Sequence, residues 1–384
     1  MKRILFVNSH KEIGGGEIVL INLLKSINKT QFTLVVTTPG TGQFQSAIEK
    51  LGVPVKKLTM SQSQGRGSRF QIFMNMFRFA LSFLFTIPKL ISLIKSEQID
   101  IVHAGTFQSL LYTLPAARLT GKHLIWHCHE FYLYGRIGPQ FMKRADYIIA
   151  TSHALRKNLI EAGIPGEKIT TIYCSVDSRI FESASKPNPA EIIPAWKQGD
   201  RILTVIGRLV HFKGQDILIE AAHHVLKHFP DTWFLIVGGP LFTGLSFMEY
   251  LKTLGNRLGI SDRIVFLGQR DDVPAIITLS DIIVLPSRAE PFGISALEGM
   301  MAGKPVIVTV TSGVSEIVSH KKNGYIVPAF NPGALADAIM ELLDDSSIAD
   351  HIGKNAQIYV KTNYIPCIMA KKIEQILLES ALNL

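Results

Sequence analysis

Two glutamates, Glu290 and Glu298, flank Pro291, Phe292, Gly293 and Ile294 in the stretch RAEPFGISALE (288–298). Pro291 argues against one continuous helix through the stretch. Either the two carboxylates serve separate structural ends, or the chain turns between them and both face one small molecule. A helix opening at Gly293 would offer its first free N–H groups to an anion, with Glu298 just over one turn inside. A carboxylate can accept two hydrogen bonds from a vicinal diol, as in a ribose or a hexose. One capping glutamate beside one surface glutamate would explain neither the glycine nor the confinement to a single loop.

A second set of residues lies upstream in GRLVHFKG (207–214), where Gly207 precedes Arg208 and Lys213 follows five residues on. Both cations come after an apolar run and before a helical pattern, at the carboxyl edge of a strand. There they can hold a diphosphate, Arg208 through a fork of donors and Lys213 as a point charge. Taken alone, two solvated loop cations explain them better. The glutamate and glycine pattern at 290–298 tips the balance toward a diphosphate.

Metal chemistry finds less support. His127 and His129 in HCHE (127–130) share one strand face, but no third ligand lies nearby in sequence. There is no D-x-D motif: Asp271–Asp272 and Asp344–Asp345 are adjacent pairs suited to solvent or capping. No cofactor and no essential bound metal are therefore expected. His103 and His153 fit structural or capping-region roles. GGGE (14–17) departs from G-x-G-x-x-G, and Glu17 would repel a pyrophosphate at the helix that follows. This weighs against a dinucleotide-dependent dehydrogenase.

The elements that must position these residues alternate strand and helix. Short apolar runs at 3–9, 32–38, 100–105, 123–129 and 147–152 alternate with helical stretches at 18–27, 44–51 and 153–164. Ser152 would cap the last of these helices, and Gly163 and Pro165 would stop it. The alternation restarts with strands at 201–209, 232–239, 264–269, 281–287, 305–310 and 324–329, and two helices close the chain at about 332–344 and 364–381. The proline-bearing stretch ESASKPNPAEIIPAWKQG (182–199) separates the two series and reads as a linker. The pattern predicts two Rossmann-like, doubly wound α/β domains, at 1–181 and 200–363, with a final helix at 364–384 packing back on the first. Facing one another, such domains would place a ligand cleft between the carboxyl ends of their sheets.

Size and composition agree. A chain of 384 residues with 47% apolar and 18% charged residues suits two ordinary cores. Cys128, Cys174 and Cys367 are far apart without C-x-x-C spacing, as in a reduced, cytoplasmic protein. No secretory signal pattern opens the chain. The net charge is +9, and residues 1–100 hold thirteen Lys/Arg against five Asp/Glu. Nucleic acid is not an expected partner, since no helix-turn-helix, RRM or zinc-finger pattern is present. The segment FQIFMNMFRFALSFLFTIPKLISLIK (70–95) is apolar nearly all round and follows the basic QGRGSR (64–69). Arg78, Pro88 and Lys89 interrupt it, so no uncharged run reaches the ~18–20 residues of a membrane span. It reads either as a helix buried between strands or as an interfacial helix on an anionic membrane, with Arg66, Arg69 and Arg78 toward the headgroups. The coincidence of basic and aromatic residues favours contact through 64–95, on the inner face of the plasma membrane.

GRLVHFKG, PSRAEPFGISALEGMMAGKPVIV (286–308), GVSEIV (313–318) and NGYIV (323–327) together resemble the signature blocks of the retaining glycosyltransferases of family 4, the group 1 family, with the GT-B fold. The likeness is dense over about 200–345 and weaker but collinear over 1–180. The resemblance implies that Arg208 and Lys213 neutralise a leaving diphosphate, with the N–H groups of Phe292, Gly293 and Ile294. Glu298 would accept from ribose hydroxyls and Glu290 from hydroxyls of the transferred sugar. His129, ahead of Glu130, would lie near that sugar. Gly15 and Gly16 would allow close backbone approach to phosphates or acceptor, and the base would lie near Arg270. The expected activity moves a sugar with retention from a UDP or GDP sugar to a glycan or lipid-linked acceptor, in cell-surface polysaccharide or glycolipid synthesis. A sugar-nucleotide epimerase or phosphorylase on the same scaffold, and a non-enzymatic nucleotide-sugar-binding membrane scaffold, are the alternatives.

Overall fold

The computed structural model describes residues 1–60, 69–131, 137–182, 184, 187–240 and 244–382. Arg66 and most of the basic stretch 64–69 lie outside them. The chain divides into two compact units: Met1–Cys174 with Pro366–Leu384, and Ser175–Ile365.

The first unit is built on seven parallel strands: β1 (Lys2–Val7), β2 (Phe32–Thr38), β3 (Val55–Lys57), β4 (Ile101–Ala104), β5 (His123–Cys128), β6 (Tyr147–Ala150) and β7 (Ile169–Thr171). Their order is β3-β2-β1-β4-β5-β6-β7, so the winding reverses between β1 and β4. Alternate residues feed opposite faces. Leu5, Val7, Val102, Ala104, Leu124 and Trp126 share a core with Leu90 and Ile94 of the helix Arg69–Ser96. Phe6, His103 and His127 belong to the other residue parity, as the pairing of Phe6 with His103 and of His127 with Ile149 shows.

The second unit carries β8 (Arg201–Ile206), β9 (Thr232–Val237), β10 (Ile264–Gly268), β11 (Ile282–Leu285), β12 (Val306–Thr309) and β13 (Tyr325–Val327). Their order is β10-β9-β8-β11-β12-β13, all parallel, with the reversal between β8 and β11. Carboxyl ends at such a reversal open a crevice for ligands.

Several boundaries differ from the sequence reading. The division falls at Cys174/Ser175, ahead of the expected linker at 182–199. The described part of that linker folds onto the second unit, where Ile193 is 1% exposed and Ile192 and Trp196 pack on the same apolar cluster. Three helices close the chain rather than two: Pro332–Asp344, Ser346–Asn363 and Pro366–Leu382. The helix Arg69–Ser96 continues through Pro88, whose ring sits on the exposed side. One face of this helix is buried, and Phe83 stacks on Tyr112 at 4.4 Å. The other face leaves Phe77, Leu81, Leu84 and Phe85 exposed. The stretch Phe77–Ser96 is long and apolar enough, by length and composition, to cross a membrane.

Candidate active site

At the reversal of the second sheet, the loops leaving β8 and β11 are pressed together. Gly214 has φ +74°, and a Cβ there would lie 2.0 Å from the Pro286 carbonyl oxygen. No side chain fits, so the turn His211–Lys213 can close against the loop after β11. Arg288 pins that approach. Its guanidinium donates to both carboxylate oxygens of Asp216 at 2.8 and 2.7 Å and to the His211 carbonyl at 2.6 Å. Its backbone N–H donates to the Phe212 carbonyl at 2.8 Å. A bidentate pair of this kind, with most of both side chains buried, fixes direction as well as distance.

The pinned loops bring Lys213 to Glu290, and the ammonium donates to Glu290 Oε2. The Ser287 hydroxyl donates to the same oxygen at 3.3 Å. Only 15% of the Lys213 side chain and 9% of the Glu290 side chain are exposed, so the pair is largely desolvated. Behind it, the Gly313 N–H donates to the Glu290 carbonyl at 2.8 Å and the Val314 N–H to the Phe292 carbonyl at 2.6 Å. The hydroxyls of Thr309 and Thr311 both donate to the Ser287 carbonyl.

The chain then turns at Gly293, φ +106°, where a Cβ would meet Leu285 Cδ2 at 2.6 Å. The helix Ile294–Met301 starts there with Gly293 as N-cap and no side-chain cap. Its dipole and first N–H groups are thus not closed by a side chain of this turn. Glu298 lies in the second turn of this helix, 7% exposed, and burial pushes its carboxyl up to about 7. No described side chain pairs with that carboxyl. It is suited to accept hydrogen bonds that a ligand brings.

Arg208 is exposed and has no ion-pair partner among the described residues; its carbonyl accepts from Gln215 Nε2 at 2.9 Å. Gly207 adjoins the Lys213 stem, with a Cβ contact of 3.4 Å to Lys213 Cδ. Arg270 is engaged by Asp272 through two bonds of 2.8 and 2.7 Å. That pair, with Asn188, Glu191, Ile192 and Leu267, borders a pocket of about 600 Å³.

His129, Gly15 and Gly16 belong to the first unit. Gly15 begins the helix Gly15–Ser26, and a Cβ on Gly16 would lie 3.4 Å from His129 Cδ2. His103, His127 and His129 form a row of rings, with centroids 5.6 and 4.1 Å apart. Burial lowers all three, His103 to about 3 and His129 to about 4, with Glu17 opposing the His129 shift. They are neutral imidazoles. Glu17 does not face an open helix end: its carboxylate accepts from the Gly14 N–H at 3.0 Å and meets His10 Nδ1 at 2.9 Å. Burial alone would raise the Glu17 carboxyl, but His10 and Gly14 outweigh it and hold it below the ordinary value. Among the described residues no group of three or more His, Cys, Asp and Glu is arranged to hold a metal ion.

The sequence reading did not single out Arg288, Asp216, Ser287 or His10. Arg288 stands inside the quoted motif, and Asp216 opens the next helix, but their pairing spans 72 residues and is a tertiary fact.

Comparison with known proteins decides the family. Residues 190–359 match the family described as glycosyl transferases group 1, and residues 13–179 match glycosyltransferase family 4. The chain belongs to the group 1, family 4 glycosyltransferases. An alpha-D-kanosaminyltransferase of Streptomyces kanamyceticus is 29% identical over 279 residues, covering 66% of this chain and 71% of that protein. A GDP-mannose-dependent alpha-(1-6)-phosphatidylinositol monomannoside mannosyltransferase of Mycobacterium tuberculosis is 28% identical over 306 residues, 74% and 77% of the two chains. The structure of Anabaena Alr3699/HepE in complex with UDP-glucose superposes with a TM-score of 0.82 at 25% identity, covering 99% of this chain and 100% of that one. The two Rossmann-like units are those of a GT-B glycosyltransferase.

Proposed function

We propose that this glycosyltransferase moves a sugar with retention of anomeric configuration from a UDP or GDP sugar to a glycan or lipid-linked acceptor. The observation that carries this reading is the gathering of Lys213, Glu290 and Glu298, the last with no side-chain partner among the described residues, about the uncapped start of the helix Ile294–Met301. In this reading the diphosphate takes Lys213, Arg208 and the N–H groups of Phe292, Gly293 and Ile294. Glu298 accepts from the ribose, Glu290 from the transferred sugar, and the base occupies the pocket beside Arg270.

The chemistry follows from charge. Breaking the anomeric bond leaves positive charge on the sugar and negative charge on the diphosphate. Fixed cations and a helix dipole stabilise the latter without reorganising, which is a leading source of rate. Glu290 and Glu298 are both engaged with hydroxyls, so neither is free to form a covalent glycosyl intermediate. Same-face attack assisted by the departing phosphate then accounts for retention.

The UDP-glucose complex of the Anabaena protein supports a uridine donor, and the GDP-mannose dependence of the mycobacterial relative supports a guanosine one. Calorimetric titration with UDP-glucose and GDP-mannose, followed by product analysis, tests the reading. Lys213→Met is expected to lower donor-dependent turnover by about a thousandfold, and unchanged turnover would remove Lys213 from the diphosphate site.

The acceptor side includes a membrane. The exposed ridge Phe77, Leu81, Leu84, Phe85 and Pro88, bordered by Arg78 and Lys89, suits the interface of an anionic bilayer. Such contact would hold the protein on the cytoplasmic face, beside lipid-linked acceptors of surface polysaccharide or glycolipid synthesis. Flotation with phosphatidylglycerol vesicles should drop sharply in a Phe77→Ser/Leu84→Ser/Phe85→Ser variant, and equal flotation would dismiss the contact.

A further inference from the structure

Lys213 is not an open cation. Its ammonium is held by Glu290, in a place where both side chains are mostly buried. An arriving diphosphate must therefore share or take a cation from a carboxylate that cannot retreat into water. The Glu290 backbone is fixed through its carbonyl by the Gly313 N–H, and Gly293 is packed under the Glu290 stem, a Cβ there lying 3.4 Å from Glu290 Cγ.

We propose that Glu290 acts as a built-in competitor for Lys213, and so sets a preference for sugar-bearing diphosphates over bare ones. The inference rests on the donor-site reading given above.

The reasoning is electrostatic. When phosphate oxygens take Lys213, Glu290 loses its cation and faces new negative charge at short range, which is costly in a desolvated site. Ser287 still supplies one hydroxyl to Glu290 Oε2, leaving most of its accepting capacity unmet. A nucleotide sugar brings hydroxyl donors that replace the ammonium. A bare nucleoside diphosphate brings none, and its terminal phosphate carries an extra charge. The pair thus penalises the leaving product more than the incoming donor. Glu290 also reclaims Lys213 when the product departs.

Calorimetry on wild type, Lys213→Met and Glu290→Gln, each titrated with UDP, GDP, UDP-glucose and GDP-mannose, tests this. The Gln side chain keeps the shape and an accepting oxygen but removes the charge. Glu290→Gln should bind the bare diphosphate about tenfold more tightly than wild type, a change typical of relieving one like-charge contact, while the matching nucleotide sugar binds no more tightly. Bare-diphosphate affinity that is unchanged or weaker in Glu290→Gln overturns the competitor role. Should all four compounds fail to bind wild type, the donor-site reading falls and this inference with it. Weaker binding of both ligand classes in Lys213→Met, with no change of their ratio in Glu290→Gln, removes the competitor role alone. If Glu290→Gln does not fold with Lys213 left unpaired, Lys213→Met/Glu290→Gln compared with Lys213→Met isolates the other half of the argument, the repulsion between Glu290 and a bare terminal phosphate. Tighter bare-diphosphate binding in the double variant supports that repulsion, and equal binding overturns the preference built on it.

Discussion

The carboxyl edges of the two sheets share one architecture and treat charge in opposite ways. At the first, the helix Gly15–Ser26 is closed by its own Glu17, which accepts from the Gly14 N–H and is held by His10. The groups beside it are neutral imidazoles, and the Ser9 and Thr106 hydroxyls share a hydrogen bond of 2.8 Å across the reversal between β1 and β4. At the second, the helix Ile294–Met301 has no side-chain cap; the Lys213–Glu290 pair lies at the loop that leads into it, and Glu298 lies in its second turn. The first helix start takes a carboxylate of its own helix, and the second leaves its N-cap glycine without a side-chain cap. A shared fold does not by itself make two alike helix starts; the residues at the cap differ.

Acid should break the comparison most strongly on the first side. Unfolded imidazoles take up protons below about 6.5, whereas buried His103 and His127 and half-buried His129 resist until far lower pH. The unfolded state then binds more protons, so stability falls as pH drops below 6.5. Each histidine contributes about 1.4 kcal/mol per pH unit over that window. Hydrogen exchange at pH 7 and pH 5 should show the first sheet losing protection well before the second. Equal loss in both sheets would contradict neutral burial of the row.

On the second side the sign reverses. Glu298 ionises at about 4.5 when unfolded and at about 7 in place, so its contribution falls as pH rises from 4.5 to 7 and stays low above. Glu298→Gln should therefore be more stable than wild type at pH 8 by about 3 kcal/mol, and level with it near pH 4. Thermal melts across that range check it, and parallel stability curves would show that the carboxyl is solvated. The same variant should bind donor less well, because an ionised carboxylate accepts more strongly than an amide.

The smallest effect concerns the cap. Glu17→Ala should cost the first unit about 1 kcal/mol, seen as a lower melting temperature. Removing this carboxylate also opens the Gly15–Ser26 helix start to anions. Inorganic phosphate should then protect the variant against heat more than it protects wild type. No difference in phosphate protection would mean that Glu17 does not govern anion access.

Much of the fold was legible because buried parallel strands write themselves as apolar runs. IVFLG, IIVL and VIVT became β10, β11 and β12 within a residue or two. The three-residue edge strands β3 and β7 were not legible, since KK and TT beside one apolar residue carry no strand signal. The helix Ser346–Asn363 was missed because its buried side rests on Ile352, Gly353, Ala356 and Val360, two of them too small to mark a stripe. Prolines at 187–194 suggested a free linker, yet Ile193 and Trp196 were the better clue to where that stretch packs. In the site, Glu290, Gly293 and Glu298 could be read from local spacing and resemblance. The partnership of Lys213 with Glu290 spans 77 residues and appears only once β8 and β11 lie side by side.

The first unit is assembled from both parts of the chain. The helix Pro366–Leu382 buries Met369, Ala370, Ile373, Ile376 and Leu377, and its Glu374 accepts from the Asn28 N–H at 2.7 Å. The second unit is inserted between these parts, and its entry and exit are tied where the Val176 N–H donates to the Tyr364 carbonyl at 2.9 Å. On a ribosome this arrangement inverts the usual order of completion. The N-terminal sheet emerges early but waits, with one helical face uncovered, while about 190 residues of the other unit are made. A premature stop near residue 365 would leave the second unit whole and strip the first, synthesised earlier, of its closing helix.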